Sequence, residues 1–328
     1  MNWFLCTLVC LLAWGTADLF YKKSTDEADR YSHLKISVWV GMVMGACSIA
    51  LLLIPGTDTC LSDGFSVKQL FSSAVHYLPA SAGYILSMVI GYAGIRYLEM
   101  SVISPVQNAS GAFSVIGMLI WFTIKGNIAA FTEEFSLLDI LGTVIIVAGM
   151  IALAVVEQKG SAADRTLQQE KSSKRYRVGA AALLFPLLYC LFDAIGTAAD
   201  GILLSEQSTL QLSETQVLCV YGLTFFLFGA CAWLYMLIKT KKPYLPFRKD
   251  EKDKALAAIC EEFGQVFYIF AMAAKPLLAA PAIAGYCTVS VLLCRLFLKE
   301  KLGRARYLCI AAVILGILML GISEGMAE

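Results

Sequence analysis

The sequence predicts an all-α membrane protein of ten transmembrane helices arranged as two inverted five-helix repeats. Three observations lead there. Ten mostly apolar runs fill the chain, each close to the ~17–25 residues that cross ~30 Å of hydrocarbon. One long polar stretch, 157–177, divides these runs five to five. Near-equivalent aspartates, Asp18 in the first run and Asp193 in the sixth, are separated by the offset that relates the two halves.

Composition excludes a sizeable soluble domain. Of 328 residues, 59% are hydrophobic and 16% charged, against the roughly 25% charged residues of ordinary globular domains. The expected spans are 2–20, 36–54, 77–97, 101–123 and 137–156, then 178–203, 215–238, 255–274, 277–298 and 305–323. The domain boundaries follow: 1–156 is a first five-helix repeat, 157–177 a polar cytoplasmic linker, and 178–328 a second repeat.

The first run has no basic residues before it, its positive charges follow it, and no convincing small-residue cleavage site precedes Lys22 and Lys23. It reads as a retained helix, not a signal peptide. In the second, Gly41 and Gly45 form a Gly-x-x-x-Gly that close helix packing explains. The fourth run places Gln107, Asn108 and Ser110 just after Pro105, where leucines would cost less. The sixth carries Pro186, Asp193 and Asp200, and the eighth Glu261, Glu262 and Gln265.

Charge distribution is more informative than the net charge of +1. With the N-terminus outside, 22 Lys and Arg fall on the inner connections and three (Lys68, Lys125, Lys275) on the outer ones, with Arg295 inside a span. The positive-inside rule therefore puts both termini outside. No basic stripe with interleaved aromatics marks a nucleic-acid partner. The eleven cysteines contain no Cys-x-x-Cys, and most read as small packing residues. His33 and His76 are the only histidines, too few for a zinc site or a His-based triad. No cofactor is expected and no enzymatic motif is present.

At an offset of 175 Asp18 falls opposite Asp193 and Trp14 opposite Tyr189; at 176 Pro105 falls opposite Pro281 and Tyr92 opposite Tyr268. Because five is odd, the second half starts from the opposite face of the membrane. Inverted repeats of this kind build many secondary transporters, with the site between them. Each aspartate lies roughly 23 Å along its helix at 1.5 Å per residue, so Asp18 should sit toward the inner side and Asp193 toward the outer.

The Trp14-Gly15 pair, the connection Lys275-Pro276-Leu277-Leu278-Ala279-Ala280-Pro281, and the ending Phe297-Leu298-Lys299-Glu300-Lys301-Leu302-Gly303 before an Ala/Gly-rich last helix resemble the EamA-type members of the drug/metabolite transporter superfamily. The resemblance spans nearly the whole chain in architecture and is sharpest over 270–322. It implies an importer or exporter of small metabolites with a central cavity lined by helices 1, 3, 4, 6, 8 and 9. The helix-1 glutamate of the small multidrug members is absent; Asp18 is the acidic residue there.

An ionised carboxylate at bilayer depth costs at least ~2.5–3.5 kcal/mol, so Asp18 and Asp193 should face the bundle interior. Each is read as a substrate-ammonium partner or proton site, with a structural hydrogen bond as the alternative for Asp193 and an i,i+4 pair with Lys22 for Asp18. Asp200 shares the face of Asp193 but lies near the helix end, where wetting explains it. Glu261 and Glu262 point about 100° apart, so one should look inward, unless Arg295 or the loop ending at Lys254 pairs with them. Gln265 extends the Glu261 face, and Gln107, Asn108, Trp14 and Tyr189 complete the candidate substrate- or proton-binding set. Trp14, Tyr84, Tyr92, Tyr189, Tyr268 and Tyr286 could form a cation-binding wall, although packing explains any single one.

The expected function is a plasma- or inner-membrane secondary transporter of a small organic metabolite, amino-acid-like, zwitterionic or cationic, working by alternating access with protons as a candidate coupling ion. A carboxylate-lined path for a divalent metal ion is the alternative. The expected partners are the small-molecule substrate and the lipid bilayer; a homodimer stays open.

Overall fold

The computed structural model describes residues 2–26, 29–95, 100–129, 135–168, 184–205, 212–299 and 303–327. Among these the chain is all helix. We number the longer helices in order: α1 Trp3–Ser24, α2 Ser32–Leu53, α3 Val67–His76, α4 Leu78–Gly94, α5 Met100–Asn108, α6 Ser110–Ile124 and α7 Leu137–Gln168, then α8 Leu184–Leu203, α9 Glu214–Thr240, α10 Lys252–Ala274, α11 Pro276–Ala284, α12 Tyr286–Phe297 and α13 Arg304–Ala327.

Among the described residues nine helical segments are long and apolar enough to cross a bilayer, or up to ten if α3 and α4, bent by 66° at Tyr77, count as one. By helix length and hydropathy this is a multi-pass integral membrane protein. The apolar residues left outward agree. Leu5 and Leu12 on α1, Leu187, Leu191 and Ile195 on α8, and Leu315, Leu318 and Ile322 on α13 are all exposed. In water such faces would be aggregation surfaces; in lipid they are solvated. The helix through Leu137 continues to Gln168, so the first twelve residues of the polar stretch expected as linker are helical; 169–183 lie outside the described residues.

Four helix pairs make the frame: α1 with α10, α4 with α8, α2 with α9, and α7 with α13. With no water to drive apolar helices together, close backbone approach through small residues is what holds them. Gly41 lies against the Phe225 carbonyl and Gly229, and Gly45 against the Phe226 ring, as expected for the α2 glycines. The α4–α8 pair meets at two glycines. A Cβ on Gly83 would fall 2.9 Å from Gly196 Cα, and one on Gly196 3.1 Å from Tyr84 N. Gly83→Ala should therefore destabilise the protein by about 1–3 kcal/mol through backbone overpacking, whereas Gly325→Ala, with nothing within 4 Å, should be neutral. Thermal unfolding in detergent measures both, and equal midpoints would remove the close-packing account.

Two spans are each interrupted at a single residue. α5 gives way to α6 at Ala109, four residues after Pro105, and α11 to α12 at Gly285, four residues after Pro281. At each break the ladder tightens to i→i+3 bonds: Ala112 N–H donates to the Ala109 carbonyl at 3.1 Å and Thr288 N–H to the Gly285 carbonyl at 3.0 Å. A proline lacks the N–H that would continue the ladder, which loosens the turns around it. The breaks aim the residues beside them inward.

Candidate functional site: an acidic, tyrosine-walled cavity

α1, α4, α8 and α10 meet the two broken spans around a cavity of about 50 Å³. At ~10–15 Å³ per water that is room for a few waters. Four carboxylates line it: Asp18, Asp193, Asp200 and Glu261. So do eight aromatic residues, which include all six of the predicted wall together with Tyr21 and Tyr221. Among the described residues that line it, none is Lys or Arg.

Each carboxylate has its own set of hydroxyl donors. Asp18 accepts from Ser104 at 2.9 Å, and Asn108 Nδ2 fixes that serine by donating to its carbonyl at 2.8 Å. Asp193 accepts from Ser110, the first residue of α6, at 2.6 Å and from Ser87 at 3.4 Å. Glu261 accepts from Tyr84 and, at 3.3 Å, from Tyr21, which itself accepts from Tyr92 at 3.1 Å. Asp200 accepts from Tyr77, from Tyr221 at 2.9 Å and from Tyr268 at 2.7 Å. A buried carboxylate is costly unless hydrogen-bonded, and these donors offset part of that cost.

Among the described residues, two basic side chains near these helices have other acceptors. Lys22, one turn on from Asp18, donates to the Ile95 carbonyl at 2.9 Å. Lys254 pairs with Glu251 at 2.9 Å, and Tyr244 donates to the same glutamate at 2.8 Å. Arg295 is exposed.

Of the residues singled out in the sequence, Asp18, Asp193, Glu261, Gln107, Asn108, Trp14 and Tyr189 come together around the cavity. Glu262 and Gln265 do not line it. Glu262 is half-buried and turned to Cys47 on α2, as the 100° between neighbours requires. Gln265 is 1% exposed, and its amide has no hydrogen-bond partner among the described residues. Asp200 is a correction in the other direction. Far from being wetted, it is 2% exposed and joins the hinge at Tyr77 to α9 and α10. Its shared face with Asp193 was the signal available; Tyr77 and Tyr221 gave none. Asp18 and Asp193 line the same cavity.

Trp14 organises the aromatic wall. Its ring stacks on Tyr268 at 5.1 Å and meets Tyr286 edge-on at 5.7 Å, while Nε1 donates to the Glu261 carbonyl at 3.1 Å. Trp14→Phe keeps the stacking and loses the bond, an expected cost of about 1 kcal/mol. Trp14→Ala removes both and should cost about 3 kcal/mol or more. The order of their unfolding midpoints checks this, and equal midpoints would show that the ring contacts contribute nothing.

No family model and no curated protein matches the sequence. Among solved structures, 25 chains match. One crystal structure of a protein aligns over 99% of this chain and 98% of its own, with a TM-score of 0.61 at 15% identity. That likeness is one of fold. Fold and hydropathy together define the class: a multi-pass, all-α integral membrane protein.

Proposed function

We propose that this chain is a secondary active transporter of a small organic cation or zwitterion, of the EamA-like kind, working by alternating access between two inverted five-helix repeats. One observation carries the reading: a cavity inside the bundle is lined by four carboxylates and eight aromatic residues, with no Lys or Arg among the described residues that line it. Aromatic faces and carboxylates together attract ammonium groups and repel anions.

The packing supports the repeat. Exchanging the halves turns the α1–α10 pair into α8–α4 and the α1–α12 pair into α8–α6, and leaves α2–α9 and α7–α13 as they are; all of these contacts occur. The two broken spans correspond as well, each interrupted four residues after a proline. Discontinuous helices at a midplane site are a common transporter feature. With ten spans the termini share one face, and the distribution of Lys and Arg favours the outside of a plasma or inner membrane.

A divalent metal ion is less well served. Hard cations want six or more oxygens, and no group of three His, Cys, Asp or Glu among the described residues is disposed to hold one. A thermal-shift screen of the purified protein against amines, amino acids, sugars, organic acids and Mg²⁺ tests the reading. Amines or amino acids should stabilise it most; stabilisation by organic acids alone would sink the proposal.

A further inference from the structure

We infer that the groove between α2 and α9, together with the loop that follows α9, binds an anionic phospholipid, with an acyl chain in the groove and the headgroup phosphate on the lysines of the loop. The groove has a volume of about 320 Å³ and shares no lining residue with the acidic cavity. Val38 and Met42 of α2 and Phe226, Ala230 and Trp233 of α9 form its apolar walls. Pro246, from the loop, also lines it, so groove and loop make one surface.

The loop is held against both helices. α9 ends at Thr240, and Lys241 takes a left-handed conformation at φ 54° that turns the chain. Glycine usually fills such a position; a lysine keeps a charge where glycine would cost less. Trp233 Nε1 donates to the Tyr244 carbonyl at 2.9 Å, which ties the loop to α9. On the α2 side, Phe247 meets the Trp39 ring edge-on at 5.7 Å, and Lys35 Nζ lies 5.3 Å from the centre of the Tyr244 ring.

The charge of this surface is one-sided. From 239 to 254 the chain carries seven Lys and Arg against three acidic residues. All three are engaged: Glu251 with Lys254 at 2.9 Å, Asp250 with Arg248 at 3.4 Å, and Asp253 with Lys23 at 3.5 Å. Lys239, Lys241, Lys242 and Lys249 are exposed and make no ion pair among the described residues. The general bias of Lys and Arg toward one side of a membrane accounts for their number. It does not account for Leu245 and Phe247, 60% and 84% exposed in their midst. Apolar side chains set among lysines at the end of a spanning helix match the boundary where acyl chains meet headgroups. Basic clusters at that depth recognise anionic headgroups, each Lys or Arg strengthening binding about fivefold. A neutral lipid would fill the groove and leave four lysines without a counter-ion; a soluble phosphate would meet the lysines and leave the groove empty.

The test places the full-length protein in phosphatidylcholine vesicles with a small fraction of brominated phosphatidylglycerol, or of brominated phosphatidylcholine with the same chains. Quenching of tryptophan fluorescence is the readout, since Trp233 lines the groove. The brominated anionic lipid should associate at least ~10-fold more tightly than the neutral one, and Lys242→Gln combined with Lys249→Gln should reduce that ratio to about threefold or less. Ala230→Leu, which fills the groove, should remove the excess quenching by the anionic lipid. Equal quenching by the two lipids in the wild type overturns the inference. So does a preference that survives either the lysine substitutions or the filled groove. Displacement by glycerol phosphate beyond that caused by sodium chloride of equal ionic strength also overturns it, because the site would then take free phosphate. The wild-type comparison decides the matter even if a variant fails to fold.

Discussion

Asp193→Asn should weaken the binding of amines to this protein about 30-fold while leaving its fold intact. Asparagine keeps the shape of the side chain and can still accept from Ser110, so the local packing survives. What disappears is the charge. Two unit charges 4 Å apart interact by ~4 kcal/mol at an effective dielectric near 20, and recovering even half of that from a substrate ammonium corresponds to about a 30-fold loss of affinity. Thermal-shift titrations of the wild type and the variant with amines at pH 8 measure this. Unchanged amine stabilisation in the variant would make Asp193 structural and turn attention to Gln107 and Asn108.

Asp200→Ala should be the most destabilising single change in the cavity wall. It deprives Tyr77, Tyr221 and Tyr268 of their common acceptor in a place that is 2% exposed. A buried hydroxyl left unsatisfied costs ~1–3 kcal/mol, so the three together should cost about 3 kcal/mol or more even after partial repair by water. Asp200→Asn retains one acceptor oxygen and should cost less than half as much. The ranking of midpoints, wild type above Asn above Ala, is the readout. An Ala variant as stable as the wild type would show that the tyrosines find other partners.

Much of the architecture was legible because hydropathy alone marks a span: nine of the ten predicted runs correspond to spanning helices among the described residues, and the third does so only together with the bent helix before it, while 96–97 and 178–183 of the predicted runs lie outside the described residues. Hydropathy failed where a span is not uniformly apolar. The helix Val67–His76 carries Lys68, Gln69 and two serines, so the third run was read from 77 and the bend at Tyr77 was missed. The breaks at Ala109 and Gly285 were hidden because apolar residues continue through them, although both prolines were visible.

The site was legible to the extent that polar residues stand out against lipid. Asp18, Asp193, Glu261, Gln107 and Asn108 are conspicuous for that reason, and all line the cavity. Adjacent residues such as Glu261 and Glu262 cannot be told apart without knowing which way the helix is turned. Asp200 was misjudged because depth along its own helix says nothing about the tyrosines that three other segments bring to it. Tyrosine is common in membrane helices for other reasons, so no count of its occurrences would have revealed the grouping.

The bonding around Asp200 bears on how well a carrier of this kind can insulate the membrane. Three hydroxyls from separate segments converge on one carboxylate. Freeing one segment leaves two still anchored. In the transporter proposed above, such a latch would favour opening of that end as a unit over partly open shapes that leak the driving gradient.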